Sequence, residues 1–142
     1  MFNNVLVAID GSKMSEKVLK VAEQFAKEHG SRLTLIHVAK DLVIPTTMVV
    51  ADYEKILDEM RNAAMALLRE AQQKLELQAV RADLLFKQGT SISRLIVQVA
   101  EEKNADLIIM GSRGLGNIKG LMLGGVSQKV AQLSQCPVLL VK

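Results

Sequence analysis

Residues 105–130 read ADLIIMGSRGLGNIKGLMLGGVSQKV. The first six, ADLIIM, form a short run rich in Ile and Leu that is apolar on both faces, as a strand buried on both sides of a parallel sheet must be. Six of the chain's nine glycines then fall within the fifteen positions 111–125. Glycine is placed where φ must be positive or where a ligand must approach the backbone. So dense a cluster is either a long surface turn or a cradle for an anionic group. Val126, Val130 and Leu133 follow at helical spacing.

The same alternation of strand and helix runs through the rest of the chain. NVLVAI (4–9), RLTLIHV (32–38), RADLLF (81–86) and PVLLVK (137–142) read as further strands. Val18, Val21, Ala22 and Phe25 make a first helical stripe, with Ser12 or Ser15 as its N-cap and Gly30 as its stop. A long second stripe runs from Ile56 and Leu57 through Met60, Ala64, Leu67, Leu68 and Ala71 to Leu75. Ile92, Leu95, Ile96 and Val99 make a third, capped by Thr90 or Ser91. Met60 and Met65 read as core filler. One connection is unusual: AKDLVIPTTMVVAD (39–52) is a partly apolar loop broken by Pro45, suited to movement or to contact with a partner.

Doubly apolar strands joined by helices imply a parallel sheet covered on both faces, a three-layer α/β/α domain. Right-handed crossovers require a reversal of direction, and the common five-strand solution is the order 3-2-1-4-5. Ligands of such sheets sit beyond the carboxyl ends of the strands at the switch point, here between the first and fourth strands. The glycine-rich stretch follows the fourth strand and Asp10 ends the first, so both flank that crevice.

Composition narrows the classes. A length of 142 residues is one domain with room for an ordinary core, and 49% hydrophobic with 23% charged residues is that of a compact fold. Aromatics are 3% with no Trp, and the 18 basic and 15 acidic residues are interleaved, which argues against nucleic-acid binding. Cys136 is the single cysteine. It leaves no disulfide framework or thiolate cluster and reads as a small hydrophobe beside the last strand. The start, MFNNVLVAIDGS, lacks the features of a signal peptide, and no apolar run reaches the ~20 residues of a membrane helix, so a cytoplasmic location is expected.

At the crevice, Gly111 and Gly114 would let backbone N–H groups face a phosphate. Gly124 and Gly125 open the last helix, whose unpaired N–H groups and dipole favour an anion. Arg113 offers a guanidinium and Ser127 a hydroxyl in the first helical turn. Other phosphate motifs fail on spacing. GxxxxGK[ST] is absent, and GLGNIKG is one residue off the dinucleotide fingerprint and follows the wrong strand. No His or carboxylate cluster has metal-ligand spacing.

The spacing G-x2-G-x9-G over Gly111, Gly114 and Gly124 resembles the universal stress protein family. VLVAIDGS near the start, ADLIIMGSRG and CPVLLVK extend the likeness over essentially the whole chain. Within that family the pattern is similar to the ATP-binding branch, whose fold is the adenine nucleotide alpha hydrolase-like version of the sheet inferred above. The resemblance implies that Ala8, Ile9 and Asp10 border the adenosine, with Asp10 accepting from adenine or ribose, and that Val38 packs on the adenine. It implies that Met110 lies beside the ribose, that Gly111, Arg113 and Gly114 hold ribose and phosphates, and that Gly124, Gly125, Val126 and Ser127 hold the phosphates from the other side. One departure stands out: the family pattern continues G-[ST] where this chain has Gly124-Gly125, so a hydroxyl contact is lost while the N–H remains.

Plainer readings stand beside these. Asp10 could simply cap the first helix or its preceding turn. His37, on a buried strand, reads as a packed core residue, and His29 before Gly30 suits a helix C-terminus. The expected function is a nucleotide-responsive module binding ATP, AMP or another adenine nucleotide, with Mg²⁺ able to bridge the phosphates and at most very slow ATP hydrolysis. A nucleotide-hydrolysing or nucleotidyl-transferring enzyme of the same architecture and a ligand-free dimeric scaffold are the alternatives. DGSKMS (10–15) is a poor version of the glycine-serine loop that such an enzyme would carry. The last strand, an edge in this order, is apolar on both faces, and an open apolar edge invites pairing. A homodimer through residues 138–141 is expected, as the resemblance also implies.

Overall fold

The computed structural model describes residues 1–113 and 124–142. Five parallel strands, β1 (Asn4–Ala8), β2 (Arg32–Lys40), β3 (Ala82–Gly89), β4 (Leu107–Gly111) and β5 (Val138–Val141), form one sheet in the order β3-β2-β1-β4-β5. The helices are α1 (Lys13–His29), α2 (Val50–Glu76), α3 (Ile92–Glu102) and α4 (Gly125–Leu133). The expected fold class and strand order are those observed.

Alternation along each strand splits the core into two clusters, one per face. Val5, Val7, Leu33, Leu35 and Ile109 pack with Val18, Ala22, Leu68 and Leu75 of α1 and α2. Leu6, Ile36, Ile108 and Met110 pack with Ile96 and Val99 of α3 and Val130 of α4. Full burial of a side chain of this size stabilises by about 1.5–3 kcal/mol, so both faces must be covered, and the crossovers cover them.

Helix ends follow the local chemistry. Gly30 closes α1 in the left-handed conformation, φ 66°, its N–H bonded to the Ala26 carbonyl. Ser91 caps α3, its side chain accepting from the Arg94 N–H. At the other three N-termini no side chain caps the helix, and Val49 of α2 has no polar group to offer. Ser12 occupies the N-cap of α1 and Gly124 that of α4, and neither supplies a side-chain cap bond. Both of these ends lie at the carboxyl edge of the sheet.

The connection from Asp41 to Val49 keeps its apolar side chains outside: Val43 is 97% and Val49 62% exposed. Cys136 is half-buried, with its sulfur 3.3 Å from the Ser134 hydroxyl, and packs on the α3–α4 cluster as a small hydrophobe would. Among the described residues no helix is long and apolar enough to cross a membrane.

Candidate functional site

A crevice of about 440 Å³ opens at the carboxyl ends of β1, β2 and β4, between the N-termini of α1 and α4. Of the twelve residues singled out from the sequence, eleven line it. Ala8, Ile9 and Asp10 come from the end of β1 and Val38 from β2. Met110, Gly111 and Arg113 come from the end of β4, and Gly124, Gly125, Val126 and Ser127 from the start of α4. The twelfth, Gly114, lies outside the described residues.

The crevice has two chemical halves, because it straddles the sheet's edge and draws on both faces. Val38, Ile92, Ile96, Met110 and Val126 belong to the α3–α4 cluster and give an apolar wall. Asp10, Ser12, Ser15 and His37 give a polar wall on the α1 side. An apolar surface facing a few convergent polar groups is the usual anatomy of a small-molecule site.

Asp10 organises the turn from β1 to α1. Its Oδ1 accepts from the Ser12 N–H at 2.9 Å and from the Ser15 hydroxyl at 3.0 Å, and Ser15 Oγ accepts in return from the Asp10 N–H at 3.1 Å. Gly11 completes the turn at φ +82°, where an added Cβ would lie 2.6 Å from Leu67 Cδ1. The turn-capping role weighed for Asp10 is therefore real for one carboxylate oxygen.

His37 is a crevice residue and not simply a core one. Its Nδ1 is 2.8 Å from the Ile9 carbonyl, which can only accept, so Nδ1 carries the proton. The ring stacks on Phe86 with planes at 16°. Ile9 is thus held twice by β2, through His37 and through its own N–H to the Ile36 carbonyl at 3.0 Å. This fixes the strand end that carries Asp10.

The far wall is stapled by one carbonyl. Ser112 O accepts from the Gly124 N–H at 2.7 Å and from the Ser127 hydroxyl at 2.7 Å, which brings the two ends of the glycine-rich excursion together beside β4. Ser127 is 2% exposed and its hydroxyl also lies 3.0 Å from the Gly124 carbonyl. The Ser127 hydrogen and the Gly124 N–H thus tie the start of α4 to the end of β4.

Among the described backbone groups, those of the first turn of α4 can serve an anion. Gln128 N–H closes the first helical bond, to Gly124 O at 3.0 Å. The N–H groups of Gly125, Val126 and Ser127 have no intrahelical acceptor, and the glycine at the cap has no side chain to satisfy them. A Cβ on Gly125 would meet none of the described residues within 4 Å.

Gly111 has a packing reason to be glycine beside the one its spacing suggested. A Cβ there would lie 2.5 Å from Met14 Cγ and 3.1 Å from the Arg113 carbonyl. The missing side chain makes room for the first turn of α1, which brings that turn against the end of β4.

Among the described residues, no group of three or more His, Cys, Asp or Glu side chains could hold a metal ion. Reading from the sequence missed Ser12, Met14, Ser15, Val18, Ile36, His37, Ile92 and Ile96 as crevice residues. The available signal was position: each lies at or just beyond the carboxyl end of a strand, or faces it from a helix.

A model of the universal stress protein family matches residues 1–142. The universal stress protein YxiE of Bacillus subtilis is 42% identical over 149 residues, with both chains covered in full. Among solved structures, MJ0577 of Methanocaldococcus jannaschii superposes with a TM-score of 0.86 at 29% identity, covering 100% of this chain and 96% of that one. A universal stress protein solved in complex with cAMP matches at 27% identity with a TM-score of 0.66, covering 99% and 96% of the two chains. A family match along the full length, a close relative and the same fold agree, and the chain belongs to the universal stress protein family.

Proposed function

We propose that this protein binds adenine nucleotides, ATP foremost, in the crevice between α1 and α4, and acts as a nucleotide-responsive module in stress response. One observation carries the reading. The first turn of α4 presents N–H groups with no acceptor among the described residues behind a glycine cap, and it does so in the same crevice as the apolar wall of Val38, Met110 and Val126. Phosphates suit the helix end and a purine suits the wall. Arg113, at the same edge, adds a guanidinium for a phosphate oxygen. The relative solved with cAMP supports an adenine nucleotide in particular. Mg²⁺, where it takes part, would be held chiefly by the phosphates.

Calorimetric titration of the purified protein with ATP and with adenosine tests this. ATP is expected to bind at micromolar or tighter concentration and adenosine at least tenfold more weakly, since the α4 turn acts only on phosphate. Equal affinities would remove the phosphate assignment, and no heat from either would remove the nucleotide.

The protein is further proposed to pair as a homodimer along β5. Pro137 O and Val141 O accept from β4, at 3.0 Å from Ile108 N and 2.8 Å from Ser112 N. By alternation, the N–H and C=O groups of Val138 and Leu140 face the open edge. Val138 and Leu140 side chains also pack on the α3–α4 cluster, so acidic substitutions there would damage the core as well. Leu140→Pro removes one outward N–H and no bond to β4. The expected result in light scattering is a twofold fall in mass at micromolar concentration with the far-ultraviolet dichroism unchanged. A variant that stays dimeric would count against pairing through this edge.

A further inference from the structure

We propose that Ser12 is a ligand-binding residue of this crevice, its hydroxyl donating to a sugar hydroxyl of the bound nucleotide. The assignment rests on the nucleotide reading of the site. Ser12 lines the crevice, yet its Oγ is closed off from solvent and has no hydrogen-bond partner among the described residues. The polar groups that shape the turn around it are paired. The Ser12 N–H goes to Asp10 Oδ1, its carbonyl accepts from the Ser15 N–H at 3.0 Å, and Ser15 Oγ joins both ends of Asp10.

The ordinary explanation for a serine here is a helix cap. Ser12 stands at the N-cap of α1 with the extended conformation that caps adopt, φ −72° and ψ 167°, and still makes no side-chain cap bond. The hydroxyl does nothing for the helix. A polar group kept out of water without a partner costs free energy, so the hydroxyl has no contact to lose when it turns to a ligand oxygen. Ser12 as a whole is only half-buried. One rotamer step about its Cα–Cβ bond is the movement that binding requires.

The neighbouring charge decides which ligand oxygen this is. Asp10 is tied to the same turn, and its carboxylate would oppose a phosphate placed against Ser12. A sugar hydroxyl both donates and accepts, so it can sit beside a carboxylate that only accepts and a serine that has a hydrogen to give. The turn from β1 to α1 therefore reads the sugar, while the first turn of α4 holds the phosphates across the crevice.

The test is a thermodynamic cycle with ATP and 2′,3′-dideoxy-ATP on the wild type and on Ser12→Ala, with Ser12→Gly as a second hydroxyl-free variant suited to a cap position. ATP affinity is expected to fall about 3- to 10-fold in both variants. Affinity for the dideoxy nucleotide should stay within about twofold of wild type, and ligand-free thermal stability should be unchanged or higher. Equal losses for both nucleotides would place the contact elsewhere on the ligand and overturn the proposal. So would no loss for ATP, or a drop of several degrees in ligand-free melting, the mark of a cap. A wild-type protein that binds neither nucleotide would remove the nucleotide reading itself, an outcome distinct from all of these.

Discussion

Gly125→Asp is expected to weaken ATP binding by about two orders of magnitude while leaving the fold intact or slightly more stable. The position is the first residue of α4, its φ is not in the left-handed region, and an added Cβ meets none of the described residues within 4 Å. An acidic side chain in the first turn of a helix is favourable by about 0.3–1 kcal/mol, and glycine there is a poor helix former. The same carboxylate would stand where the phosphates are proposed to cap the helix. Two unit charges about 5–6 Å apart at an effective dielectric constant of about 20 repel by about 3 kcal/mol, a little over a hundredfold in affinity. Gly125→Asn, similar in size and uncharged, separates charge from bulk and should lose less than about tenfold. Calorimetry with ATP and chemical unfolding of all three proteins are the measurements. An aspartate variant that binds ATP within about threefold of wild type would show that the phosphates do not reach this helix end.

How far the sequence alone reaches is clearest from where it stops. The apolar strands were legible to within a residue or two at their starts, because burial on both faces leaves a continuous hydrophobic run. Their ends were not. RLTLIHV and RADLLF stop at 38 and 86, yet β2 and β3 continue to Lys40 and Gly89, paired Val38 to Lys87, Ala39 to Gln88 and Lys40 to Gly89. At the carboxyl edge of a sheet the ladder outlasts the core, and polar residues there look like loop. Helix α2 likewise begins at Val50, well before its stripe at Ile56, since its first turn is exposed and has no core to face. Leu133 closes the stripe of α4 by spacing but is 48% exposed.

The site shows the same limit in chemical form. Glycine spacing located the crevice, and all the described residues that it and the family resemblance suggested line it. Spacing could not assign their work. Gly111 is glycine because Met14 fills the place of its side chain, and the Ser127 hydroxyl is taken up by the Ser112 carbonyl. Those are tertiary contacts across 97 and 15 positions, outside the range of any local pattern. His37 was read as core for a related reason: period-two alternation assigns a face and says nothing of how close to the sheet's edge a residue sits.

ATP turnover by the protein alone is expected to be slower than about 0.01 s⁻¹, two decades below the ordinary floor of enzyme rates near 1 s⁻¹. Fast phosphoryl transfer needs charge neutralised at the γ-phosphate and a nucleophile oriented in line. The α4 turn and Arg113 can offer part of the first requirement. For the second, the described crevice has two side chains able to take a proton, Asp10 and His37, and both are engaged at the opposite end. Asp10 Oδ1 holds the turn after β1, and the His37 Nδ1 proton holds the Ile9 carbonyl. His37 also sits on β2, two strands from β4 in the sheet order, roughly 9–10 Å at ordinary strand spacing. Ser127, beside the proposed phosphate site, has its hydrogen committed to Ser112 and no base within its own bonds. On the proposed reading, the nucleotide is expected to act as a bound signal rather than as a fuel. Single-turnover measurement with excess protein, Mg²⁺ and ATP decides the matter: a rate near 1 s⁻¹ would make the protein an enzyme and require a nucleophile-orienting group at the α4 end of the crevice.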